Sequence, residues 1–267
     1  MFSVTRVGKY HRLFSDLAKC QIANTLDEFL HIYTFEEWVN AAHEAAEIIR
    51  IHEGLQRVND LTLTSRLRDA LSGHELFVLD SDDRSGRDFT FELAVAAKFA
   101  RRGYEINFGA DADVEAVVMG TEVYVECKRL KSANKIQRRV KEGLKQLSRR
   151  YDSSAAPAAA RGILALSIGK TVNSSLKLLE ADDATQLAAK ASMLHDTFIG
   201  TYGRNWQEAS DQRTLGVFIV LDTPARLIAE NKLATVHETA VNNCVPRDTE
   251  GYQLLLQIAN NVFDKRK

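Results

Sequence analysis

The chain has 267 residues, of which 45% are hydrophobic, and its formal net charge is -1 at pH 7. This composition is enough to bury the core of one large or two small globular domains, and the balanced charge excludes a uniformly basic protein. The protein could therefore bind a nucleic acid or a membrane only through a local charged patch. The three cysteines, Cys20, Cys127 and Cys244, form no CxxC pair, which argues against a disulfide framework and a zinc knuckle. Because no apolar run approaches the roughly 18 residues of a membrane span, we expect a cytoplasmic protein without membrane contact.

The first predicted unit is a helical region that covers residues 1–84. From Phe2 to about Phe77 the apolar residues recur at intervals of three and four, the period of amphipathic helices packed on each other. The unit is acidic, with fourteen Asp and Glu residues against nine Lys and Arg. We expect it to select substrate, to regulate, or to bind a partner, either a second copy of the chain or another protein.

The second predicted unit covers residues 85–267, after a boundary loop at Asp80–Arg87 with the composition of a turn. Short apolar runs indicate buried strands here, and longer periodic runs indicate helices. The predicted helices are Phe89–Gly103, a basic helix Asn134–Tyr151, one around Ser174–Thr197 and a closing helix from Gly251. The predicted strands are Tyr104–Phe108, Val114–Met119, Glu122–Lys128, Ile163–Ile168 and Leu215–Leu221. This order predicts an α/β domain with a mixed β-sheet flanked by helices.

A predicted hairpin gathers charged side chains near the ends of two of these strands. A two-residue turn at Gly120–Thr121 would pair residues whose numbers add to 241. Asp113 would then lie opposite Lys128, and Glu115 opposite Glu126.

The alternation of side chains places these charges on one face of the hairpin. Glu126 and Lys128 share that face, whereas Cys127 points to the opposite, valine-rich face. Facing carboxylates repel unless a cation lies between them, and Mg²⁺ is held by one or two carboxylates together with water and a substrate phosphate. A solvated sheet face on which Lys128 offsets the acids is the other interpretation, and the residues alone leave both open.

The spacing of these residues resembles a known motif. Asp113 is followed thirteen residues later by the triplet Glu126-Cys127-Lys128, with a glycine turn at Gly120 between two apolar strands. This pattern resembles that of the PD-(D/E)XK nuclease superfamily, which includes many restriction endonucleases and Holliday-junction resolvases. Ala112 stands where the motif's name has proline. Asp111 is a rival for Asp113, but strand register and the position of the glycine favour Asp113.

The resemblance implies a restriction-endonuclease-like fold and a metal-dependent nuclease that hydrolyses phosphodiester bonds in nucleic acid, most of all in DNA. It implies Mg²⁺, or Mn²⁺ in its place, held by Asp113, Glu126 and the carbonyl of Cys127. Lys128 would orient the attacking water or help to deprotonate it.

The resemblance extends from about Phe89 to Tyr151. Glu92 stands where such nucleases often have an additional acid, which would reach the metal directly or through water. Gln146 lies on the helix that follows the motif and would belong to the catalytic set. Arg150 stands where RecB-type exonucleases carry tyrosine, so an endonuclease is the favoured subclass.

A basic patch follows the motif. Ten Lys and Arg residues lie from Lys128 to Arg150, against one acid, Glu142. An apolar stripe along the predicted helix turns cations outward in a row, and such a row can track a phosphate backbone. An ordinary solvated helix face is the competing interpretation. The predicted nucleic-acid contacts are Arg129, Lys131, Lys135, Arg138, Lys145 and Arg149.

Two alternatives to a nuclease remain. The first is a nucleic-acid-binding or assembly module that keeps the fold without catalysis. The second is a helical adaptor in which residues 1–84 carry the main function and the sheet is a scaffold. Because Asp113, Glu126 and Lys128 are all present, catalysis is favoured.

Overall fold

A computed structural model describes residues 6–72, 86–108, 112–153 and 156–263. The predicted boundary between residues 84 and 85 and the rival acid Asp111 lie outside the described residues, as does most of the loop at Asp80–Arg87.

The N-terminal part is helical, as predicted. Its helices are α1 (Arg6–Ala23), α2 (Leu26–Ile32), α3 (Phe35–Leu55) and α4 (Leu63–Ala70). A capping box begins α3: the Thr34 hydroxyl accepts from the Glu37 N–H at 3.2 Å, and the Glu37 carboxylate accepts from the Thr34 N–H at 2.8 Å. No helix in the described ranges is long and apolar enough to cross a membrane.

The rest of the described chain is a β-sheet with helices on both faces. The strands are β1 (Glu105–Asn107), β2 (Val114–Val118), β3 (Thr121–Arg129), β4 (Arg161–Ser167), β5 (Leu179–Ala181), β6 (Thr214–Leu227) and β7 (Lys232–Asn243). The helices are α5 (Gly86–Arg101), α6 (Ile136–Tyr151), α7 (Gly169–Val172), α8 (Ala184–Tyr202), α9 (Arg204–Gln207) and α10 (Glu250–Ile258), which continues into a π-helical turn at Ala259–Phe263.

The sheet is mixed. β1, β2 and β3 form an antiparallel meander, and β3, β4 and β6 are parallel neighbours. β7 runs antiparallel along β6, and β5 pairs in parallel with the end of β6. The interiors of β4 and β6 are buried, which accounts for their continuous apolar sequences. The predicted α/β architecture with a mixed, helix-flanked sheet is therefore confirmed.

Each face of the sheet has its own core. On one face, Phe99 of α5 and Phe218 of β6 belong to a cluster that also receives side chains from α3 and α10. On the other face, Leu147 of α6 and Trp206 of α9 pack with side chains of α8.

The turn of the β2–β3 hairpin differs from the prediction. The turn residues are Met119 and Gly120, both with positive φ (52° and 75°), which is the geometry that a two-residue hairpin turn requires. Val118 pairs with Thr121, so paired residue numbers add to 239, not 241. The predicted pairs of Asp113 with Lys128 and of Glu115 with Glu126 are therefore wrong.

The new register brings the acids closer together. Glu115 lies opposite Tyr124, and continuing the register by one residue sets Asp113 opposite Glu126. Because each partner moves by two residues, no side chain changes face, and the predicted common face of Asp113, Glu126 and Lys128 is kept.

Helix α6 approaches the sheet closely at Gly143. A Cβ atom at Gly143 would lie 2.6 Å from Leu164 Cδ1 and 3.4 Å from Lys128 Cγ. Only glycine permits this approach without a shift of the neighbours, and it holds the following turns of α6 over the end of β3.

The N-terminal helices pack on the sheet domain through buried charges. Asp222, near the middle of β6, accepts a hydrogen bond from Arg50 of α3 at 3.1 Å. The same carboxylate lies 3.3 Å from His43 Nε2 and 2.6 Å from His237 Nδ1. The two predicted units are thus in direct contact.

Candidate active site

The predicted catalytic residues meet in one cleft. The cleft, of about 560 Å³, opens where β3 ends and β2 begins, between α5 and α6. Its walls include Glu92, Asp113, Glu126, Lys128 and Gln146. Residues from three separate parts of the chain are therefore brought together.

Asp113 is fixed at the mouth of the hairpin. It directly precedes β2, and its Oδ2 accepts a hydrogen bond from the backbone N–H of Cys127 at 2.8 Å. This bond ties the carboxylate to β3, next to Glu126, the residue that lies opposite Asp113 when the register is continued.

Glu126 is fully buried and is held by two cations. Lys128 donates to its Oε1 at 2.5 Å, and Arg150 of α6 donates to its Oε2 at 3.0 Å. Burial and then repulsion from Asp113 raise the pKa of Glu126 to about 7, although Lys128 and Arg150 act in the opposite direction. A carboxylate buried this deeply persists as an anion only while such partners remain.

Lys128 lies between the two carboxylates. Its Nζ is 3.9 Å from Asp113 Oδ2 and 2.5 Å from Glu126 Oε1, so those oxygens are separated by no more than the two distances added together. The two carboxylates thus face each other across the Lys128 ammonium group, and a Mg²⁺ ion bound directly by both would need their oxygens within about 4 Å of each other.

Cys127 offers only its backbone to the cleft. Its side chain packs with Val123 and Val125 on the α5 face of the sheet, as strand alternation predicts. Burial, followed by repulsion from the carboxylates of Asp113, Glu92 and Glu126, raises the pKa of its thiol well above the ordinary value. The thiol is therefore a poor nucleophile.

Glu92 enters the cleft from α5 in an ion pair. The side chain of Glu92 is buried, and Arg66 of α4 donates to its Oε2 at 2.9 Å and to the carbonyl oxygen of Asp113 at 3.2 Å. No pattern in the sequence points to Arg66, which is 26 residues from Glu92 and on another helix.

Gln146 and Arg150 lie one turn apart on α6. Gln146 is exposed on the cleft wall, whereas the Arg150 side chain is 15% exposed and reaches Glu126. In the sequence, Arg150 is one of the ten cations of the basic segment and a departure from the tyrosine of RecB-type exonucleases, with no predicted role in the site. Its spacing of four from Gln146 is the signal that could have placed it on the same face.

Two of the predicted nucleic-acid contacts are buried in ion pairs. Arg129 lies 3.6 Å from Asp88, and Lys131 lies 2.9 Å from it, with side chains 8% and 3% exposed. These cations neutralise Asp88 at the amino-terminal end of α5 and do not belong to an exposed row.

The rest of the predicted row lies along α6. Arg138, Lys145 and Arg149 are exposed, and Lys135 just before the helix is partly buried. Arg138 Nε lies 3.5 Å from Glu142, the acid of the segment. Lys145 and Arg149 also line the cleft, so the row runs directly into the site.

The carboxylates of the cleft fit a Mg²⁺ site with one or two protein ligands better than a metal cage built from three or more side chains. In the described part of the chain, no three His, Cys, Asp or Glu side chains form a ready-made metal cage. Mg²⁺ needs only one or two carboxylates, with water and a substrate phosphate completing its shell. Asp113 and Glu126, whose mutual repulsion helps to raise the pKa of Glu126, match that smaller set.

No protein-family model matches the chain, and no curated protein matches its sequence.

Proposed function

We propose that this chain is a metal-dependent nuclease that hydrolyses phosphodiester bonds in nucleic acid, with DNA as the favoured substrate and Mg²⁺ or Mn²⁺ as its ion. The observation that carries the proposal is the convergence of Asp113, Glu126 and Lys128 in one cleft at the end of a hairpin. A hairpin followed by a basic helix and parallel strands also supports a restriction-endonuclease-like arrangement.

Asp113 and Glu126 would hold the ion, with the Cys127 carbonyl as a further ligand. When bound, the ion supplies a Lewis acid to the phosphoryl oxygen and lowers the pKa of a coordinated water. Lys128 has its ammonium group within reach of both carboxylates, so it can orient the attacking water and stabilise the charge that develops on phosphorus-bound oxygen.

Arg150 favours the charged form of Glu126 and holds it in place from the opposite side. Because Arg150 and Lys128 bond to different oxygens of Glu126, the carboxylate cannot rotate freely about its last bond. We assign Arg150 a positioning role and Lys128 a catalytic one.

Substrate would approach along α6. Arg138, Lys145 and Arg149 are exposed beside the cleft, and cations in a row follow a phosphate backbone without reading its sequence. This arrangement supports binding of a polynucleotide in preference to a small phosphodiester.

The test is cleavage of labelled linear, circular and branched DNA and RNA with Mg²⁺, Mn²⁺ or a chelator. We expect metal-dependent cutting that Asp113→Ala abolishes and that Asp196→Ala, which removes an exposed carboxylate on α8, leaves unchanged. Cutting of circular DNA would assign an endonuclease. Binding of nucleic acid without cutting in any metal would overturn the proposal and favour the non-catalytic module.

A further inference from the structure

Among the described residues of the N-terminal helices, Arg66 of α4 reaches the candidate site. Its Nη1 donates to Glu92 Oε2 at 2.9 Å and to the carbonyl oxygen of Asp113 at 3.2 Å. Its guanidinium carbon lies 5.2 Å from the centre of the Phe108 ring. One residue of the first predicted unit therefore contacts the acid before β2, the acid of α5 and the aromatic ring that directly follows β1.

These contacts fix Arg66 in one orientation. The Arg66 and Glu92 side chains are 18% and 6% exposed, so the ion pair is largely shielded from water. Charge-assisted hydrogen bonds are stronger than neutral ones, and a guanidinium plane over an aromatic ring adds a cation–π contact. Lysine could not make the same set of contacts, because it lacks the planar guanidinium group with its several N–H donors.

The position of Arg66 has a direct electrostatic consequence for Glu92. A carboxylate that already pairs with a guanidinium offers a cation little further attraction, and the guanidinium repels a cation brought beside it. Asp113 keeps its carboxylate free of Arg66, because only its backbone carbonyl is used. Glu126 also pairs with a guanidinium, that of Arg150, but through Oε2, whereas its Oε1 faces the flexible ammonium group of Lys128 and, beyond it, Asp113.

We propose that Arg66 is a positioning residue that limits the site to a single divalent cation, by holding Glu92 out of coordination and by fixing the main chain at Asp113. The inference rests on the proposed function for the existence of that cation. It replaces the expectation that Glu92 reaches the metal, and it makes the N-terminal helical region part of the site.

Calorimetric titration of the full chain with Mn²⁺ alone tests this inference, without nucleic acid and without turnover. The variants are Arg66→Gln, the double variant Arg66→Gln/Glu92→Gln, and the matched control Arg68→Ala, which removes an exposed cation from the same helix. We expect one Mn²⁺ per chain in the wild type and the control. Arg66→Gln should bind a second ion or bind the first about tenfold more tightly, and the double variant should return to wild-type binding.

The outcomes separate two kinds of failure. Binding by Arg66→Gln that equals the wild type in stoichiometry and affinity would overturn the inference and leave the proposed function standing. Absence of Mn²⁺ binding in the wild type and every variant would overturn both. Binding by Arg66→Gln alone, with none in the wild type, would also overturn the inference, because the wild type is expected to bind one Mn²⁺.

A second comparison covers the case in which Arg66→Gln does not fold. Glu92→Gln in the wild-type background should still bind one Mn²⁺, with affinity within about threefold, whereas Asp113→Asn should lose at least about tenfold. Equal losses in the two variants would identify Glu92 as a ligand and overturn the inference.

Discussion

Arg150 of α6 donates to Glu126 Oε2 at 3.0 Å, and this contact joins the basic helix to the buried acid of the candidate site. The Glu126 side chain is fully buried and the Arg150 side chain is 15% exposed. Removal of one partner from such a pair leaves an uncompensated charge in the interior. The pair therefore couples the stability of the fold to the geometry of the site.

We expect Arg150→Ala to lower the free energy of unfolding by about 3 kcal/mol, because Glu126 would keep Lys128 alone as its cation. The neighbouring Arg149→Ala removes the same charge from an exposed position and should change stability by less than about 0.5 kcal/mol. Urea unfolding at neutral pH measures both. Similar losses of unfolding free energy in the two variants would mean that the Arg150–Glu126 pair stabilises the fold no more than an exposed arginine does.

Glu47 of α3 should make the protein less stable as pH rises. Burial and then repulsion from Asp222 and Glu44 raise its pKa from 4.5 to about 7, against the opposing effects of Arg50 and Arg129. A folded-state pKa above the unfolded value means that the folded state binds more protons between those two values. Stability is therefore lost as pH increases through that window.

The variant Glu47→Gln isolates this effect. Between pH 5 and pH 8 the wild type should lose about 1 kcal/mol or more of stability relative to the variant, since one pKa unit corresponds to about 1.4 kcal/mol. Unfolding curves at the two pH values give the difference. Parallel pH dependence in the two proteins would show that Glu47 ionises normally.

Asp222 should have the opposite dependence. Burial raises its pKa, but His43, His237 and Arg50 outweigh burial and hold it well below the ordinary range. Its stabilising effect is then present above the unfolded pKa of about 3.9 and is lost as pH falls through and below that value. Asp222→Asn should cost about 3 kcal/mol at pH 7 and less at pH 3, whereas exposed Asp196→Asn should cost little at either. An equal cost of Asp222→Asn at both pH values would contradict this.

The exposed row on α6 should govern the salt dependence of nucleic-acid binding. Arg138→Ala/Arg149→Ala should weaken binding and reduce the slope of log K against log salt concentration by about two, since each lost phosphate contact removes about one unit. Lys232→Ala, at an exposed position on β7, is the control. Fluorescence anisotropy at several salt concentrations measures the slopes. An unchanged slope would show that the exposed cations of α6 are solvated and do not contact the nucleic acid.

Much of the sheet could be predicted because its central strands are buried on both sides. β4 and β6 carry continuous apolar runs, and a short run of this kind is typical of a strand that is buried on both faces of the sheet. β7 carries no such run, because most of its residues are only partly buried. β5 has three residues and falls where the helical pattern of α8 was expected to begin.

The part of the candidate site that depends on spacing along adjacent strands could be predicted from the sequence. Asp113, Glu126 and Lys128 follow from alternation along two adjacent strands, and the error in register came from the turn. Met119 adopts a positive φ, which bulky residues rarely do, so the sequence favoured Gly120–Thr121 instead. Arg66 depends on the packing of α4 against α5, which no spacing in the sequence encodes.

The measurement that tests the central claim most directly is the rate of Mg²⁺-dependent cleavage by Lys128→Ala, beside its affinity for the same DNA. We predict a loss of at least about 100-fold in rate, because the ammonium group acts where charge develops, with binding changed by less than about threefold. Rates equal to the wild type, in a variant that is folded and binds DNA, would contradict the assignment of the cleft as the active site.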